Sequence, residues 1–226
     1  MQTPALWIAT LFGVVVGYLC GAIPTGYLAG RLLKGIDIRE HGSKSTGATN
    51  VLRTLGAWPF WAVLLTDVLK GAAAIVFVRW FVPWLCALPF VAPPSTFALQ
   101  AWMPWAVCLA GLGALLGHSR SIWLNFTGGK SVAAGLGVLL AISWPVGLGG
   151  LAVFGVALAI SRIVSLSSML AALTAIALVC GLDEPLPYRL LVVSGGLFVL
   201  VRHRANIQRL LAGTEPRLGE RSPEMT

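Results

Sequence analysis

Most residues able to do chemistry fall into three polar segments set between apolar runs. The first reads His41-Gly42-Ser43-Lys44-Ser45-Thr46-Gly47-Ala48-Thr49-Asn50-Val51-Leu52-Arg53. Glycines such as Gly42 and Gly47 let backbone N–H groups approach an anion, Ser43, Thr49 and Asn50 add hydrogen bonds, and Arg53 can grip phosphate through two N–H groups. The same residues equally suit a polar turn that caps the next helix, with Thr49 or Asn50 as N-cap.

The second segment runs from His118-Ser119-Arg120 through Asn125-Phe126-Thr127-Gly128-Gly129-Lys130-Ser131. Gly-Gly-Lys-Ser opening a helix invites a phosphate-loop reading. The Walker pattern, however, needs glycine where Leu124 stands, and no strand precedes it, which excludes a nucleotide triphosphatase. A generic phosphate site remains, with Lys130 as a point charge and helix-start amides beside Gly128 and Gly129 as donors. The bland alternative is a flexible turn with one snorkelling lysine. The third segment is Arg202-His203-Arg204-Ala205-Asn206-Ile207-Gln208-Arg209. A basic helical tail suits anionic headgroups, while His203 and Asn206, at i and i+3, share a face that a site can use.

Outside these segments, Asp67 and Lys70 lie three apart within an apolar run. Charges there are costly and should pair or face the bundle, and a packing pair is the simpler role than a catalytic dyad. Ser165, Ser167 and Ser168 suit helix capping or bonds between helices. Cys20, Cys86, Cys108 and Cys180 are isolated, without a CxxC pair, and read as small buried hydrophobes. No metal site is expected.

The elements that must position these segments follow from composition. Of 226 residues, 57% are hydrophobic and 11% charged, with mean hydropathy +0.85. A soluble domain carries about 25% charged residues, and lipid can solvate apolar surface that a fold of this size cannot hide. The formal charge of +8 is dispersed between apolar runs rather than gathered on one face, so membrane lipids, not nucleic acid, are the expected surroundings. Apolar runs cover roughly 6–33, 58–82, 101–117, 131–160, 163–182 and 186–201. The 131–160 stretch is too long for one upright span of about 20 residues, and Pro145 with nearby glycines offers a break into two. Parity supports the break, because two spans return Arg162 to the side of Arg53 and Lys130. The expectation is an all-α polytopic helical bundle of seven transmembrane helices, with five as the fallback if 131–160 only dips into the bilayer. The amino terminus is expected outside and the carboxyl terminus in the cytoplasm. One membrane-embedded domain is expected over 1–226, ending in a basic cytoplasmic tail at 202–226. No Lys or Arg precedes the first run and no A-x-A site closes it, so a cleaved signal is not expected.

GSKSTGATNVLRTLG, GHSRSIWLNFTGGKSVAAGLG, the SLSS stretch and RHRANIQRLLAGTE occur in that order with matching hydrophobic spacing. Together they resemble the bacterial acyl-phosphate–glycerol-3-phosphate acyltransferase family, over about 21–215. The resemblance implies a seven-helix inner-membrane enzyme with its motifs on the cytoplasmic side. It would move an acyl chain from acyl phosphate to the sn-1 hydroxyl of glycerol 3-phosphate, giving 1-acylglycerol 3-phosphate and phosphate at an early step of phospholipid synthesis. It implies no cofactor, and a transient contact with the separate enzyme that makes acyl phosphate. By position, Ser43 and Arg53 match the functional serine and arginine of the first motif, with Thr49 and Asn50 beside them. Lys130 after Gly128-Gly129 matches the phosphate-binding lysine, and His203 with Asn206 matches the third motif. The implied catalytic set is Ser43, Arg53, His203 and Asn206. The implied phosphate-binding set is Gly42, Gly47, Thr49, Asn50, Arg53, Gly128, Gly129 and Lys130. Two positions depart from the family pattern: Lys44 stands where glycine is common, and Ala134 where threonine is common. An acyl phosphate already carries a good leaving group, so no covalent enzyme intermediate is required, and the proton can pass to His203 or to a substrate phosphate oxygen. An organic-phosphate or lipid-phosphate transporter is the alternative, since it would also want basic loops and broken helices.

Overall fold

The computed structural model describes residues 4–89 and 91–219, and within these the chain is helical, with one isolated β-bridge between Ser121 and Thr127. The helices are α1 (Pro4–Ala22), α2 (Thr25–Lys34), α3 (Ala48–Leu55), α4 (Ala57–Cys86), α5 (Thr96–Ser119), α6 (Val132–Ile142), α7 (Trp144–Ser161), α8 (Val164–Gly181), α9 (Leu186–Arg202) and α10 (Arg204–Leu211). Short 3-10 turns occupy Ile38–Glu40 and Ile122–Leu124.

Five stretches are long and apolar enough to cross a bilayer: Pro4–Lys34, α4, α5, α7 and α8. The bent pair α9–α10 adds a sixth if its two helices are taken as one span. Their outward faces carry large apolar side chains that only lipid can cover, such as Leu65, Val76 and Ile160, the last 81% exposed. The protein is therefore an integral membrane protein. The run expected over 6–33 is interrupted at Ile23-Pro24, where Pro24 cannot donate to the ladder, and α2 continues from α1 beyond it. The break expected at Pro145 falls two residues earlier, at Ser143. Its extended backbone ends α6, while Pro145 sits at the start of α7, where the missing N–H is harmless. The short α6 rises only about 16 Å and α7 about 27 Å. Among the four cysteines Cys86 and Cys108 are buried, but Cys180 is exposed, contrary to the reading of all four as buried. Residues 220–226 of the basic tail lie outside the described residues.

Two close approaches fix the site's scaffold. Along α1 and α5, Gly17 and Gly21 lie against the Ala110 and Ala114 carbonyls. Between α4 and α6, a side chain at Gly71 would meet the Ala134 carbonyl and one at Gly137 the Val68 carbonyl, so the backbones themselves touch. A second, smaller core of Ile38, Ala48, Val51 and Val63 anchors α3 and the loop before it onto the start of α4.

Candidate active site

A cavity of about 350 Å³ opens among α3, α4, α6, α7, α8 and α9. Its polar residues are Ser43, Ser45, Thr49, Asn50, Arg53, Asp67, His118, Lys130, Ser131, Ser165, Ser168, His203, Asn206 and Glu215. The rest of the wall is apolar, with Phe60, Leu64, Leu136, Leu139, Leu151, Phe154, Leu158, Ala172, Val192 and Val199 among it. One space thus combines cations, hydroxyls and helix starts with a long hydrocarbon-lined surface.

The first loop is built around Asn50, which is 1% exposed. Its two Nδ2 hydrogens are shared among the carbonyls of Ile38 (2.9 Å), His41 (3.0 Å) and Ser45 (2.8 Å), and its Oδ1 accepts from the Ser43 N–H at 2.8 Å. Asn50 reaches the cavity wall, but its amide serves the loop. Gly42 turns at φ +55° with Asn50 Oδ1 lying where a Cβ would be, and it supports this turn without lining the cavity. The N-cap of α3 is Gly47, not Thr49 or Asn50, so the capping alternative fails in that form. The first turn of α3, with Thr49, faces the cavity, and Arg53 follows one turn later. Burial pushes the Arg53 guanidinium pKa down, the carboxylate of Glu215 offsets this only in part, and Arg209 adds to the lowering.

The second loop is tied to the first by Arg39, whose Nη1 donates to Thr127 Oγ1 at 3.2 Å while its other N–H groups hold Asp37. Gly128 and Gly129 do not line the cavity. A side chain on Gly129 would overlap the His118 ring, its N–H donates to the His118 carbonyl at 3.1 Å, and Arg202 Nη2 donates to both glycine carbonyls. These glycines pack the loop against α5. That packing aims Lys130 and the start of α6 at the cavity. Lys130 Nζ donates to Asn206 Oδ1 at 2.6 Å. Its pKa falls to about 8, because burial disfavours the cation, Glu215 partly restores it, and Arg209, Arg202 and Arg53 oppose it further.

The third segment turns at His203, where α9 and α10 meet at 55°. His203 Nδ1 lies 2.8 Å from the Val199 carbonyl; a carbonyl only accepts, so Nδ1 carries the hydrogen and Nε2 keeps its lone pair. Asn206, Lys130's partner, donates through Nδ2 to Glu215 Oε1 (2.6 Å), which also accepts from Ser165 Oγ (2.6 Å), while Arg209 Nε binds Oε2 at 2.7 Å. Burial would raise the Glu215 pKa, but the hydrogen bonds from Ser165, Asn206 and Arg209 outweigh it and lower it. Beyond Glu215, Leu218 exchanges hydrogen bonds with Arg162, so the segment after α10 straps across the α8 end of the cavity.

A family model described as glycerol-3-phosphate acyltransferase matches residues 11–213. A glycerol-3-phosphate acyltransferase 2 of Rhizobium johnstonii is 72% identical over 95% of this chain and 98% of its own length. A glycerol-3-phosphate acyltransferase of Acaryochloris marina is 54% identical over 94% of each. This chain belongs to the glycerol-3-phosphate acyltransferase family. Its fold matches the crystal structure of PlsY, an integral membrane glycerol 3-phosphate acyltransferase, in the glycerol 3-phosphate form. The TM-score is 0.80 at 33% identity, covering 93% of this chain and 96% of the other. The lysophosphatidic acid form of that enzyme matches at TM-score 0.78 and 32% identity.

In this family member the cavity gathers Ser43, Gly47, Thr49, Asn50, Arg53, Lys130, His203 and Asn206, and leaves Gly42, Gly128 and Gly129 behind its wall. Glu215 stood inside the third motif but was not singled out in the sequence, because only the fold of the strap brings it back over Asn206. Asp67 was read as a packing partner of Lys70, and it also lines the cavity. Ser167 and Ser168 bond back to the Ile163 and Val164 carbonyls, whereas Ser165 reaches Glu215. Ala134 is fully buried behind the cavity, at the α4 contact, so the hydroxyl that threonine would bring has no place at the wall. Lys44 adopts φ +54°, the left-handed conformation that explains why glycine suits this position.

Proposed function

We propose that this glycerol-3-phosphate acyltransferase takes its acyl group from acyl phosphate and places it on the sn-1 hydroxyl of glycerol 3-phosphate, releasing phosphate and 1-acylglycerol 3-phosphate. The observation that carries this reading is the continuity of the cavity: two cations from separate segments, Arg53 of α3 and Lys130 of the loop before α6, adjoin an apolar wall formed by α6 to α9. Both substrates present phosphate and one carries a hydrocarbon chain, which such a surface can take up at about 25 cal/mol per Å² of apolar area removed from water. Arg53 and Lys130 hold the phosphate of glycerol 3-phosphate. Ser43 and the amides at the start of α3 steady the acyl phosphate, and donors aimed at the developing oxyanion contribute about 3 kcal/mol. Holding hydroxyl and carbonyl together supplies proximity. The C–O bond to the hydroxyl forms, the acyl–phosphate bond breaks, and the proton leaves to Nε2 of His203 or to a phosphate oxygen.

A transporter would need charges along a through-path, and here they gather in one loop-lined region while the remaining wall is apolar. Seven crossings, an inner-membrane location and a cytoplasm-facing cavity complete the proposal, supported by the basic residues of all three loops. Purified protein supplied with palmitoyl phosphate and glycerol 3-phosphate should release phosphate and acylglycerol phosphate in equal amounts. Turnover with acyl-CoA and none with palmitoyl phosphate would reassign the donor.

A further inference from the structure

We propose that Asp67 and His118 form the subsite that holds the secondary hydroxyl of glycerol 3-phosphate, the one that does not react; this rests on glycerol 3-phosphate being the acceptor. Asp67 is 1% exposed and lines the cavity. Its Oδ1 is fully engaged: Lys70 Nζ lies 2.7 Å away, Thr25 Oγ1 donates at 2.6 Å, and His118 Nδ1 stands 3.8 Å off. Its Oδ2 is buried and has no hydrogen-bond partner among the described residues, and the same holds for Nδ1 of His118, which also lines the cavity. Buried polar atoms are rarely left unpaired, so two orphans on residues that both line the cavity point to a ligand group.

The chemistry of that group follows from the pair. A carboxylate oxygen only accepts, and Nδ1 of His118 donates in the tautomer that suits the Asp67 carboxylate 3.8 Å away, so a single group that both donates and accepts would satisfy the two together. A hydroxyl does this; a phosphate dianion has no proton to give and is repelled by the carboxylate. The cavity's other carboxylate, Glu215, cannot serve, because Ser165, Asn206 and Arg209 occupy its oxygens. Of the two hydroxyls of glycerol 3-phosphate, the reacting one must shed its proton during transfer. Asp67, fixed in place through its Oδ1 by Lys70 and Thr25, is a firm acceptor through Oδ2, which suits the hydroxyl that keeps its proton. Asp67 is thus a positioning residue for the acceptor: fixing the secondary hydroxyl leaves the primary one facing the acyl phosphate.

The test is calorimetric binding to the full-length purified protein of three probes: glycerol 3-phosphate, 3-hydroxypropyl phosphate, which lacks only the secondary hydroxyl, and inorganic phosphate. The wild type should bind glycerol 3-phosphate at least about tenfold more tightly than the deoxy compound. Asp67→Asn should bring the two within about twofold, by weakening glycerol 3-phosphate alone and sparing the other two probes. Because that variant leaves Lys70 buried without its counter-charge, Asp67→Asn combined with Lys70→Met, which removes both charges, should give the same narrowed ratio. A wild type with no preference, a variant that keeps it, or a loss of phosphate affinity in step with glycerol 3-phosphate each overturns the proposal. Binding needs no acyl donor, so failure of palmitoyl phosphate to turn over would strike the donor assignment and leave this measurement readable.

Discussion

Lys130 must be charged to hold phosphate, yet burial and three arginines bring its pKa from 10.5 down to about 8. The cation is therefore present below about pH 8 and lost above it, so the KM for glycerol 3-phosphate should climb as pH rises from 8 to 9.5. Lys130→Arg, charged throughout, should flatten that rise even if it turns over more slowly. A wild-type KM that stays level across this range would remove Lys130 from the phosphate grip. For stability the sign is opposite: the unfolded chain keeps the proton up to about 10.5 and the fold only up to about 8, so the charge costs stability at neutral pH and the cost fades between those values. Lys44 offers a second residue-level test. An L-residue at φ +54° is strained by about 1–2 kcal/mol, partly offset by the chain freedom glycine would lose on folding, so Lys44→Gly should raise the unfolding midpoint by roughly 2–4 °C. Asn50→Ala, by contrast, strands three loop carbonyls and the Ser43 N–H, and should cost at least about 2 kcal/mol with loss of turnover.

The helices carry these residues through contacts that leave no room for adjustment. Gly137 of α6 sits on the Val68 carbonyl of α4, so Gly137→Ala must push α6, and Lys130 at its entrance, away from Asp67. Overpacking of this kind costs about 1–3 kcal/mol, and turnover should fall with it. Gly155 of α7 faces open space, and Gly155→Ala should be neutral or gain about 0.5–1 kcal/mol from helix propensity. Equal losses in both variants, by thermal unfolding and turnover, would contradict the close contact between α4 and α6. The same level explains what could be read in advance. Long apolar runs announce α4, α5, α8 and α9, because twenty apolar residues have few other uses. The short α3 was hidden inside a polar segment, where turn residues mask its amphipathic face, α2 was merged into the first apolar run, and α10 was read only as a basic helical tail. Arg53, Lys130 and His203 stood out by residue type in glycine-rich or basic surroundings. The apolar wall did not, since a leucine facing the cavity, such as Leu139, and one facing lipid, such as Leu65, look alike in an all-apolar run. The break before α7 was misplaced by two residues, because Pro145 marks where a helix can begin, not where the previous one ends.

At the scale of the whole molecule, the three loops meet at one cavity, so they occupy one side of the bilayer, and the crossing count turns on the α6–α7 hairpin. Ala141, near its tip, accepts a hydrogen bond from Arg79 Nη1 at 2.7 Å, and Arg79 Nη2 reaches the Tyr188 hydroxyl. A guanidinium is costly at mid-bilayer, and here it sits beside Trp80, Trp84 and Trp144, all well exposed, as an aromatic belt at a membrane surface would be. Such a belt would set the tip at the interface opposite the three loops, which supports the proposed seven crossings over five. In a background with Cys20, Cys86, Cys108 and Cys180 replaced, Ser43→Cys and Thr214→Cys should react with an impermeant maleimide only in inverted vesicles. Asp183→Cys should react only in right-side-out cells, and Trp144→Cys should follow Asp183→Cys, more slowly, since its ring lies at the lipid boundary. Trp144→Cys protected from both sides would mean that the hairpin dips without crossing, and Trp144→Cys labelled with Ser43→Cys would place the tip on the wrong face altogether.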